Sequence, residues 1–203
     1  MLTKRLLIDT SSEYGILAIS EESSLLAQRV FFHENGLARS LLAEITTLLQ
    51  KTGHTLRDLT EIGVGVGPGS YTGTRVGVAT ARALSFALEI PLRGFCSLIA
   101  FLPDRLGHFG CILGAKSGLF YLLQGTKSIG NISIYGASLM TKEELYQAVS
   151  SVDFIVAKQG EELAQTDKEH AIFDPDPQNI AWALNAPATF SFEKEAQLIY
   201  LHP

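Results

Sequence analysis

Apolar residues alternate or run in short blocks over 4–9, 13–20 and 24–33, the spacing of strands. Ser11–Ser12 and Glu21–Glu22 stand at the reversals, which predicts an antiparallel meander. The period then changes. From Gly36 to Gln50, Leu37, Leu41, Leu42, Ile45, Leu48 and Leu49 recur at helical spacing, with Arg39, Glu44, Thr46 and Gln50 opposite, and Gly53 closes the helix. Ile62–Gly67 reads as a buried strand, Pro68, Gly69 and Ser70 as a turn, and Thr72–Glu89 as a second helix that stops at Pro91. The second half repeats the pattern more faintly. Strands are expected near 109–115, 118–125 and 129–135, then a helix opened by Thr141 with Glu144 three residues on, a strand at 153–157 and a helix near 177–186.

Two copies of a β-β-β-α-β-α order predict an α/β chain of two lobes facing a cleft. Pro103, Asp104 and Gly107 break the pattern at the join, so the first lobe is placed at 1–103 and a second, shortened and less regular lobe at 104–203. The length of 203 residues and 46% hydrophobic content suffice for a packed core. No stretch approaches the roughly 18 continuous apolar residues that cross a bilayer, so no membrane role is expected.

Charge narrows the partners. Sixteen Lys and Arg against 21 Asp and Glu give a net charge of -5, the wrong sign for a protein that chiefly neutralises phosphates. The whole imbalance falls on the second half, and direct tRNA or other nucleic-acid binding is not expected. Cys96 and Cys111 form no CxxC pair, and the apolar run Leu6–Ile8 is too short for a signal-peptide core, so a cytoplasmic chain with reduced thiols is expected.

Three segments carry candidate chemistry. Asp9-Thr10-Ser11 ends the first strand, where a carboxylate and two hydroxyls suit either a metal-bound phosphate or an ordinary capped turn. Gly63 to Gly73 is a glycine-rich strand and loop opening a helix, with amides able to receive an anion. Neither the dinucleotide nor the phosphate-loop spacing fits it, and glycines there equally let a helix approach a strand closely. The second helix is apolar on nearly every side, broken by Arg75, Arg82 and Ser85; one side suits the core, and the Arg75, Val76, Ala79, Arg82, Ala83 side suits another protein. No two of His33, His54, His108, His170 and His202 lie three to five apart, so no metal site is expected from them, and no GxSxG elbow occurs.

The run from Gly67 to Leu84 resembles the GPGSFTGLRIGLATAKGLA signature of the TsaB (YeaZ) family. Leu7-Ile8-Asp9-Thr10-Ser11 is similar to that family's opening strand and Ile199-Tyr200-Leu201-His202 to its closing segment. The resemblance implies a two-lobed actin, Hsp70 and sugar-kinase-like (ribonuclease H-like) fold. It also implies a non-catalytic scaffold subunit: one that pairs through first-lobe helices with the catalytic subunit TsaD and, with the ATPase TsaE, supports threonylcarbamoylation of the adenosine beside the tRNA anticodon.

On that resemblance Leu41, Ile45, Leu48, Arg75, Val76, Ala79, Arg82 and Ala83 are the expected interface, and a homodimer through the same helices is expected when the partner is absent. The sequence departs from the family at Leu37-Ala38-Arg39 in helix one, at Gly114-Ala115-Lys116 in the second lobe, and in length. Gly114 stands where an ATP-using member of the superfamily carries a second acid, and no Gly-Gly dipeptide occurs. Asp9, Thr10, Gly69 and Ser70 then form at most a weak ATP or ADP site at the partner junction, with no cofactor required and no catalytic residue expected. The rival expectation is an enzyme with its own cleft chemistry, a phosphotransferase using Asp9 or a peptidase.

Overall fold

The structure is a computed structural model that describes residues 2–32, 37–157, 168–172 and 175–185. These form two compact units, one made of residues up to 100 together with 175–185, the other beginning at Phe101 and running to 172.

The first unit is built on β1 (Lys4–Asp9), β2 (Tyr14–Glu21), β3 (Ser24–Phe32), α1 (Leu37–Lys51), β4 (Glu61–Gly65), α2 (Tyr71–Leu88) and β5 (Leu92–Phe95). Its sheet has the order β3-β2-β1-β4-β5, with the β1–β2–β3 meander antiparallel and β4 and β5 added in parallel. Alternation along the central strands divides the faces. Leu6, Ile8, Leu17, Ile19, Ile62 and Val64 pack with Leu41, Ile45 and Leu48 of α1 and with Val78 and Ala81 of α2. Burying each such aliphatic side chain contributes about 1.5–3 kcal/mol.

The second unit holds β6 (Gly107–Gly114), β7 (Phe120–Ser128), β8 (Asn131–Met140), α3 (Lys142–Val149), β9 (Phe154–Ala157) and β10 (Glu169–Ile172). Its sheet order, β8-β7-β6-β9-β10, has the connectivity of the first. Thr141 caps α3 by accepting the Glu144 N–H at 3.3 Å, while the Glu144 carboxylate accepts the Thr141 N–H at 2.8 Å, the reciprocal pair that the sequence spacing predicts. Leu145 and Val149 lay this helix on Ile112, Leu122 and Ile155. Two units with one repeated strand order are the ribonuclease H-like α/β plan.

The last described helix, α4 (Pro177–Asn185), does not close the second copy as the order of elements predicts; it lies on the first unit's sheet. The expected second lobe of 104–203 therefore loses its helix at 177–186. A Cβ on Gly63 would meet Leu184 and Leu7, so the missing side chain lets α4 sit against the face opposite α1 and α2. Two arginines hold the helix end. Arg93 donates to the Leu184 carbonyl at 2.9 Å, and the buried Arg5 donates to Asn185 Oδ1 at 2.9 Å while paired with Glu61. Arg93 at the Leu184 carbonyl complements the helix dipole. Arg93→Met is expected to weaken this attachment by about 1 kcal/mol, read as about fivefold faster amide exchange across α4. Unchanged protection would contradict the attachment.

The strands β5 and β10 are short and carry no alternation of their own, and the sequence reading omits them. The closing segment Ile199-Tyr200-Leu201-His202 lies outside the described residues.

Candidate functional site

The β1 end and the α2 start are locked together by absent side chains. Gly65, Gly69, Gly73 and Gly77 stand four residues apart, and a Cβ on any of them would come within 3.0 Å of the Asp9-Thr10-Ser11 segment. Those on Gly69 and Gly73 would strike backbone oxygens, of Ser11 and Thr10 respectively, which cannot swing away. Glycine is the residue that permits this approach. The peptide bond between Gly67 and Pro68 is cis, and Gly69 has φ +154°, also suited to glycine.

The polar groups of the segment are largely turned on one another. Ser70 caps α2, its Oγ accepting the Gly73 N–H at 3.2 Å, and its own N–H donates to the Ser11 carbonyl. The Thr10 hydroxyl donates to the Gly73 carbonyl at 2.7 Å, and the Thr74 hydroxyl donates to the Ser70 carbonyl at 2.7 Å. Asp9 Oδ1 accepts the Ser11 N–H at 2.8 Å, while Oδ2 is buried without a hydrogen bond. Burial pushes the Asp9 carboxyl up from its ordinary range, opposed in part by the Ser11 hydrogen bonds. Burial likewise pushes the Cys96 thiol up to about 12, which suppresses its thiolate.

The Asp9 shift has a consequence for stability. A carboxyl whose folded pKa is raised favours the fold fully below the unfolded pKa, and that contribution is lost as pH rises through the folded value. Asp9→Asn is expected to remove this slope, so that wild type loses stability relative to the variant as pH rises above the ordinary carboxylate range. Denaturant titrations of both proteins across a pH series check this; parallel behaviour would contradict it.

The structure divides the candidate interface residues. Leu41, Ile45 and Leu48 are 0–1% exposed and belong to the core, which corrects their placement on a partner surface: the apolar stripe of α1 faces the sheet. Val76 is half-buried and packs on the same core. Arg75, Ala79, Arg82 and Ala83 are exposed. The sequence reading did not single out Tyr71 and Phe86, which are exposed at the two ends of this face, Phe86 at 88%. Their spacing from Ala79, eight and seven residues, is the helical repeat that could have found them. On α1, Leu42 is an exposed large apolar side chain.

A family model described as TsaD: tRNA N6-adenosine threonylcarbamoyltransferase matches residues 34–196. The chain belongs to this family. Within it the chain is a TsaB/YeaZ member. It is 33% identical over 93 residues to the tRNA threonylcarbamoyladenosine biosynthesis protein TsaB of Bacillus subtilis, covering 46% of this chain and 41% of that protein. It is 30% identical over 94 residues to Escherichia coli TsaB, covering 46% and 40%. The matches thus span about two fifths of these curated relatives. A crystal structure of an uncharacterised Pseudomonas aeruginosa protein with similarity to peptidase YeaZ superposes with a TM-score of 0.82 at 20% identity, covering 98% of this chain and 100% of that one, a likeness of fold.

No described helix of this TsaB/YeaZ member is long and apolar enough to cross a membrane. Among its described residues, no three of His, Cys, Asp and Glu gather to hold a metal ion.

Proposed function

We propose that this chain is a non-catalytic subunit in the synthesis of threonylcarbamoyladenosine at position 37 of tRNA. It docks through the outward face of α2 on a TsaD-type catalytic subunit, and a TsaE-type ATPase acts through the resulting complex in the cytoplasm. The observation that carries this reading is the exposed row Tyr71, Ala79, Ala83 and Phe86 on a helix whose other side is core. Exposed aromatic and small residues on one helix face suit burial by another helix. The TsaB relatives supply the pathway.

Asp9, Thr10, Gly69 and Ser70 serve in this reading as the latch that sets α2 on the sheet. The hydrogen bonds that tie Asp9 to Ser11, and Thr10 and Ser70 to Gly73, and the raised Asp9 carboxyl support a structural role over phosphate chemistry. No catalytic residue is assigned to the chain, and tRNA is contacted by the assembly's other members.

The test is genetic replacement. In a bacterium depleted of its own TsaB, this chain supplied together with its cognate TsaD-type subunit is expected to restore threonylcarbamoyladenosine in tRNA, measured by nucleoside mass spectrometry. Asp9→Asn is expected to restore it equally. Failure of wild type to restore the nucleoside overturns the pathway reading, and ATP turnover by the isolated chain that Asp9→Asn abolishes overturns the structural role of the latch.

A further inference from the structure

No further inference is drawn: the strongest candidate, the uncharged outer strand β8 of the second unit with Ile129 exposed at the tip of its hairpin, carries nothing because nothing in the structure shows what covers it.

Discussion

Replacing Gly73 with Ala is expected to destabilise the first unit by at least about 3 kcal/mol, a drop in Tm of roughly 6–12 °C for a chain of this size. The added methyl would be driven against the Thr10 carbonyl, a backbone oxygen one residue past the end of β1. That same segment supplies the hydroxyl that donates to the Gly73 carbonyl, so relief by movement would also cost a buried hydrogen bond. Nothing in the helix itself objects to alanine, which is the better helix former. The sign of the effect therefore separates a close-approach role for this glycine from a propensity effect. Ala79→Ser, further along on the exposed side of the same helix, is expected to change stability by no more than about 0.5 kcal/mol. Thermal unfolding of the two variants beside wild type decides it; a stabilised or unchanged Gly73→Ala would contradict the locked arrangement of β1 and α2.

The second large effect is on assembly. Ala79→Gln combined with Phe86→Ser is expected to weaken binding to a TsaD-type subunit by at least about 2 kcal/mol, about 30-fold, without lowering Tm appreciably. Gln is a good helix former and adds no charge, so the first change acts by holding a facing helix away. The second removes an aromatic ring that is 88% exposed in the lone chain and so contributes little to its own core. Val76→Glu is a less discriminating variant. Val76 packs partly on the core formed by Leu41, Ile45 and Val78, and a charge there would damage the fold as well as any interface. Titration calorimetry gives the binding change, and undiminished affinity would remove the exposed face of α2 from the interface.

Much of the first unit is legible in the sequence because its periods are clean. Strand alternation over 4–32 and the helical recurrence from Leu41 to Leu49 each have one solution, and β1 to β3 and α1 follow within a residue or two. The helix α2 is legible as a helix, since Ser70 can cap it and Pro91 ends the run, and Arg75 and Arg82 mark the side that is exposed. With so many alanines the apolar pattern alone does not say that Tyr71 and Phe86 border that side. The stripe on α1 shows the opposite hazard: Leu41, Ile45 and Leu48 are visible as one face, and one unit's own sheet is enough to bury them.

The placement of α4 needs information that periodicity does not hold. Its destination is decided by Gly63, Arg5 and Arg93, more than 80 residues upstream, through a cleared surface and two guanidiniums, one at the Leu184 carbonyl and one at the Asn185 side-chain oxygen. The glycine series 65, 69, 73 and 77 is plain in the sequence, but its purpose is not. The spacing is compatible with an anion cradle or with a strand packed on a helix, and only the positions of Thr10 and Ser11 relative to each Cα distinguish them. Asp9 is similar: its chemistry as a free carboxylate is familiar, and burial changes it.

The most direct measurement is sedimentation velocity of the full chain mixed with its TsaD-type subunit, against each protein alone and against the mixture carrying Ala79→Gln and Phe86→Ser. A faster-sedimenting species that contains both proteins, and that the two changes abolish while each protein stays folded, is the predicted result. Boundaries in the wild-type mixture that simply superpose those of the separate proteins would contradict it.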